Sequence, residues 1–154
     1  MAKPRWLNER EQHVWQAYLH LNRRLSATLE AQLLRDAGLS GADYMVLVPL
    51  SEEPGGVLRA RELGTDLGWD RSRLSHHVRR REKRGLVARE ECSEDGRGLM
   101  VRLTDAGRSA IEGAAPEHAE TTRRYFFDLV SKDELATLAA VFDRLLENLA
   151  RADE

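Results

Sequence analysis

Val14, Tyr18, Leu21, Leu25, Leu29 and Leu33 recur at threes and fours through residues 10 to 36, a stretch without Pro or Gly. That spacing predicts one long amphipathic helix, stopped by Gly38. Leu39-Ser40 then offers a cap for a second helix carrying Asp43, Tyr44, Leu47 and Leu50, closed by the turn-forming run at 51 to 56. Pro49 belongs in its last turn, because an interior proline costs about 3 kcal/mol. Arg59 to Leu67 reads as a short helix and Gly68-Trp69 as a tight turn. Asp70 is the N-cap of a helix running to Arg84, with Gly85 as its stop. Residues 86 to 92 and 99 to 103 read as two strands of a hairpin with a charged, glycine-rich tip. Thr104 caps a further helix past Gly107 and Gly113, with a break expected at Pro116. Ser131 and Glu134 form a capping box for a last helix, whose stripe is Leu135, Leu138, Phe142, Leu145 and Leu149. The expected fold is mainly α with a small β-hairpin.

With 154 residues, 42% of them hydrophobic and 32% charged, the chain fits one globular domain. Its longest apolar run, Tyr44 to Leu50, falls far short of the roughly 20 residues of a membrane span. The opening residues lack a secretory signal, and Cys92 has no intrachain partner, so a reducing cytoplasm is the expected compartment.

Net charge is −2, but it is unevenly distributed. Residues 59 to 102 hold 12 of the 24 Lys and Arg and 8 of the 26 Asp and Glu, a net of +4 against −6 elsewhere. Arg71 to Arg84 alone holds seven cations and one anion, Glu82. Such density suits a polyanion, and double-stranded DNA is the first partner it suggests.

A helix-turn-helix followed by a β-hairpin is a winged-helix arrangement, which places its second helix in the major groove and its wing in a neighbouring groove. With Leu74 and Val78 inward, Ser72, Arg73, Ser75, His76, Arg79 and Arg80 turn outward beside Arg71, able to meet base edges and phosphates. At the wing tip, the Asp95 carboxylate can orient Arg97 towards a narrow minor groove.

The run Glu62-Leu63-Gly64, Leu67-Gly68-Trp69-Asp70-Arg71-Ser72, then Glu82-Lys83-Arg84-Gly85-Leu86-Val87-Ala88-Arg89, then Asp95-Gly96-Arg97-Gly98 and Leu103-Thr104-Asp105-Ala106-Gly107 resembles the MarR family of bacterial transcriptional regulators. Leu39-Ser40, Asp43-Tyr44, Leu47 and Leu50 resemble that family's second helix, and the likeness extends over about residues 10 to 150. It implies a single MarR-type domain and a homodimer. Terminal helices (about 1–38 and 116–154) would interleave around a winged lobe at about 39–115 that binds a palindromic operator, with repression as the expected outcome. It also implies a small-molecule effector between dimer layer and lobe. Trp15, Tyr18 and Tyr44 are aromatics that could line such a pocket, though aromatics at helical spacing form core by default.

Two positions depart from the family pattern. Gly64 stands where Ala is usual, allowing close helix crossing at a propensity cost of about 1 kcal/mol. Arg81 stands where Leu or Met is usual; buried, it needs a carboxylate, and the expectation is that its head snorkels outward instead.

Glu90, Glu91 and Glu94 disfavour a Cys92 thiolate, so redox sensing is not expected. The histidines at 13, 20, 76, 77 and 118 do not form a compact metal site by spacing, and no cofactor or enzyme signature is present. The rival readings are a winged-helix protein-interaction module and an architectural protein that coats DNA without sequence choice.

Overall fold

The computed structural model describes residues 3–91 and 98–152. Its order is α1 (Glu9–Ala37), α2 (Gly41–Glu52), β1 (Val57–Arg59), α3 (Ala60–Leu67), α4 (Arg71–Lys83), β2 (Val87–Glu91), β3 (Leu99–Leu103), α5 (Asp105–Tyr125), a 3-10 turn (Phe127–Leu129) and α6 (Lys132–Ala152). The chain forms two compact units, residues 1–118 and 119–154. Among the described residues no helix is long and apolar enough to cross a membrane.

Local signals fix most of these boundaries. Asn8 and Glu11 cap the start of α1 reciprocally, as Ser40 and Asp43 do for α2. The Asp70 side chain accepts the Arg73 amide at 2.7 Å to begin α4. Ser131 and Glu134 make the expected box before α6. Pro49 does lie in the last turn of α2.

Three features differ from the sequence reading. The hairpin is part of a three-stranded antiparallel sheet of order β1-β3-β2, because the short β1 pairs Val57 with Arg102 and Arg59 with Met100. Pro116 does not break α5. It sits on the exposed side, while Ile111, Ala114 and His118 continue one inward face past it, so only one backbone bond is forfeited. Arg81 does not snorkel: it is 3% exposed.

The core of the first unit joins α2, α3, α4 and the sheet through Val46, Leu47, Leu50, Leu63, Val78 and Val101. At Gly64, α3 comes close to the turn before α4 and to α4 itself: a Cβ there would stand 3.2 Å from the Trp69 carbonyl and 3.3 Å from Leu74. A small residue thus permits the tight turn that sets α4 against α3. In α1 only Gln32 and Leu33 are buried. In α6 no residue is buried: Leu135, Phe142, Leu145 and Leu149 are exposed and Leu138 is half-buried.

Candidate nucleic-acid interface

α4 carries its apolar side chains on one face only. Leu74 and Val78 enter the core, and Arg71, Ser72, Arg73, His76, Arg79 and Arg80 are exposed, as the spacing predicts. Ser75 is half-buried, a correction to its expected outward position, because the same side of α4 closes a groove against the sheet. Asp95 and Arg97, the wing-tip pair, lie outside the described residues, as does Cys92.

The groove, about 1270 Å³, runs between α3, the start of α4 and the β2–β3 hairpin. Arg59, Arg61, Arg71, Arg79 and Arg89 line it against Glu62, Asp66 and Asp70. Asp70 is committed to its helix cap, and Arg89 is held by Glu82 through bonds of 3.0 to 3.2 Å. Sequence reasoning missed Arg59, Arg61 and Arg89 as groove residues. Their signal was the basic stretch itself, which begins at Arg59, but only the pairing of β1 with β3 brings Arg59 to this wall. The result is a cationic channel beside a helix that presents guanidinium, hydroxyl and imidazole groups, the donor set that suits phosphates and base edges.

Behind the exposed face lies a polar layer that ties α4 to the α1–α2 corner. Arg73 lies over the Trp69 ring, 4.8 Å from its centroid, and Trp69 stacks on His77 at 4.4 Å. Arg81 Nη1 donates to both the His77 carbonyl and its Nδ1 at 2.9 Å. Because a guanidinium only donates, His77 carries its own proton on Nε2. Arg81 Nη2 meets Asp43 Oδ1 at 2.7 Å, and Arg84 Nη1 donates to Asp43 Oδ2 at 2.6 Å. The second Arg84 nitrogen donates to the Gly38 carbonyl at the end of α1.

Burial works to raise the Asp43 carboxyl, but the Ser40 amide, Arg84 and Arg81 outweigh it and hold the group below the usual carboxylate range. Burial pulls Arg81 down against the attraction of Asp43, yet a guanidinium remains charged throughout the working range. Burial, then Arg81 and the neighbouring cations, keep His77 below its ordinary value and therefore neutral at neutral pH.

The candidate effector residues are only partly brought together. Trp15 and Tyr18 meet at 5.5 Å between ring centroids and are about half exposed, so neither belongs to the core of the chain. Among the described residues of the first unit, none covers the early turns of α1. Tyr44 instead is half-buried with its ring 4.2 Å from His118, whose Nδ1 lies 3.1 Å from the buried Gln32 amide oxygen. His13 and His20 are exposed on α1.

The MarR family model matches residues 37–98. The chain is 39% identical to AbsC, a MarR family transcriptional regulator from Streptomyces coelicolor, with a TM-score of 0.91 over 96% of this chain and 99% of that one. Identity and TM-score are the same for Sco3205, a MarR family regulator of that organism solved in complex with DNA, over 96% of this chain and 92% of the other. An uncharacterized HTH-type transcriptional regulator of Bacillus subtilis, YdgJ, is 32% identical over 57% of the chain, a match that spans about half of that relative (53%). Together with the helix-turn-helix and the cationic groove, the nearly full-length likeness to AbsC and Sco3205 establishes that the chain belongs to the MarR family of transcriptional regulators.

Proposed function

We propose that the protein binds double-stranded DNA sequence-specifically as a homodimer, with α4 in the major groove, the wing in the adjacent minor groove, and repression by occupancy as the simplest mode. The observation that carries this reading is the division of α4: Leu74 and Val78 anchor it, while Arg71, Ser72, Arg73, His76, Arg79 and Arg80 stand free of the core on the outer side. The DNA complex of the similar Sco3205 supports it. Arg59, Arg61 and Arg89 would then flank the backbone of one strand, supplying position without sequence choice.

The second copy would cover the exposed apolar positions: Val14, Tyr18 and Leu21 on α1, and Leu135, Phe142, Leu145 and Leu149 on α6. Residues 39–115 would form the DNA-binding lobe, and the helices outside it the dimer layer. A small aromatic effector for which Trp15, Tyr18 and Tyr44 are the candidate residues is supported by the half-exposed pair Trp15 and Tyr18, which no described residue of the first unit covers.

The test is selection from a pool of random-sequence duplexes followed by footprinting. A short protected palindrome is the expected result. Uniform protection of any duplex would favour an architectural coating protein and overturn sequence choice; no DNA affinity would leave the protein-interaction reading.

A further inference from the structure

Arg81 is an expensive residue to bury. It is 3% exposed, its partner Asp43 2%, and Arg81 Nε is buried without a hydrogen-bond partner among the described residues. A buried ion pair of this kind contributes little net stability, because desolvation consumes most of the Coulombic gain, and apolar residues of similar volume in place of both partners often serve the fold as well or better. The sequence pattern that Arg81 interrupts would place such an apolar residue there. What the ion pair does provide is direction, since a guanidinium fork meeting a carboxylate accepts few geometries, whereas an apolar contact accepts many.

The direction it imposes is that of α4. Asp43 is fixed from its own side: its Oδ2 accepts the Ser40 amide at 2.8 Å, its amide donates to the Ser40 hydroxyl at 3.0 Å, and its backbone belongs to the first turn of α2. Arg81 is fixed from the other side by two bonds to His77, one turn earlier on α4. His77 backs the Trp69 ring, and Trp69 underlies Arg73. An unbroken sequence of charged hydrogen bonds and ring contacts thus runs from the start of α2 to an exposed guanidinium on the outer face of α4.

We infer that Arg81 is a positioning residue for DNA recognition: clamped between Asp43 and His77, it sets the seat of α4 on the α1–α2 corner and, through His77 and Trp69, the presentation of Arg73. This rests on the DNA-reading function proposed above, and it assigns the discrimination between sequences, rather than the stability of the fold, to a side chain that never reaches the surface.

The experiment uses the full chain, a duplex enriched by the wild type from a random pool, and a scrambled duplex of the same length. Arg81→Met, Asp43→Asn and the double variant are compared by thermal melting, by the ratio of the two affinities, and by amide hydrogen exchange of residues 71–83 without DNA. Expected is an Arg81→Met protein that stays folded, because Arg84 still pairs with Asp43, but exchanges α4 amides faster and loses about tenfold in the affinity ratio, the scale of one disrupted contact network. The double variant should lose no more than the worse single variant, because both break one link. A wild-type ratio with wild-type exchange in a folded Arg81→Met protein overturns the inference. Should that variant not fold, Arg81→Lys decides by the same ratio: it keeps a charge for Asp43 but cannot hold both partners in the fork geometry, and an undiminished ratio again overturns the inference. If the wild type itself fails to discriminate, the DNA-reading function falls, and the exchange comparison alone supports or overturns the seating role.

Discussion

The Leu86 carbonyl, which accepts the Thr104 amide at 3.2 Å, lies only 2.0 Å from where a Cβ on Gly107 would stand. The same Cβ would come within 2.8 Å of a Leu103 methyl. The first turn of α5 therefore rests on the backbone that links α4 to the sheet, with no room for a side chain.

Gly107→Ala should accordingly be severe, costing about 3 kcal/mol or more, since backbone and a core leucine must both move. Gly113 offers the control. It lies on the same helix with nothing near its Cβ direction, so Gly113→Ala should stabilise by about 0.5–1 kcal/mol through helix propensity alone. Denaturant midpoints of the two variants should move in opposite directions; equal small shifts would contradict the packing described at Leu86.

The range of each interaction decides which parts of the fold and site were legible in the sequence. Caps act over three residues, so Ser40, Asp70, and Ser131 with Glu134 announced three helix starts. β1 has only three residues, too few for any period, and it is a strand solely because β3 lies beside it. Pro116 carried a local rule that its solvent-facing position made harmless. Arg81 was recognisable as needing a carboxylate, but nothing local linked it to Asp43, and only the fold shows one carboxylate serving both the α2 cap and Arg81. The outward residues of α4, Ser75 apart, were readable because helical spacing around Leu74 and Val78 fixes them. Trp69 looked like a mere turn residue, and nothing local pointed to its place beneath Arg73.

Acid should weaken the fold in two stages. Burial holds both His77 and His118 below their ordinary value of about 6.5, so over that range the unfolded chain binds protons the folded one refuses. Their contribution is complete above the unfolded value and is lost as pH falls through the folded ones. Asp43, held below its ordinary 3.8, adds a second loss at lower pH when its carboxylate is protonated beside Arg81 and Arg84. Melting temperatures followed downward from about pH 7.5 should decline first near pH 6, and His77→Asn, which keeps an acceptor for Arg81, should flatten that first decline. An unchanged slope in the variant would contradict the buried, neutral state of His77.

The apolar side chains of α6 predict that folding and assembly are coupled. Leu145 is 54% exposed and Leu149 60%, yet they share a stripe with Phe142 and Leu138, a pattern that water does not favour. Sedimentation should find a dimer down to micromolar concentration, and Leu145→Asp should shift it towards monomer with a lower melting temperature. A well-folded wild-type monomer at that concentration would refute a second copy as the cover for this face.

Arg73 and Lys83 separate reading from anchoring on α4. Both are exposed, but Arg73 lies in the first turn, 4.8 Å above the Trp69 ring, while Lys83 is the last residue of the helix. A guanidinium held over an aromatic face keeps its donors aimed outward, ready for bidentate contact with guanine. Arg73→Ala should cost about 1–3 kcal/mol per half-site and relax preference at particular base pairs. Lys83 can supply only phosphate contact. Its loss should weaken every duplex alike and reduce the salt slope by about one per contact, or about two for a symmetric dimer. Affinities of both variants for a selected and a scrambled duplex, across a salt series, distinguish the two. Equal weakening on both duplexes by Arg73→Ala would make α4 an electrostatic anchor, and the seat that Arg81 and Asp43 provide would then serve only to hold charge against the backbone.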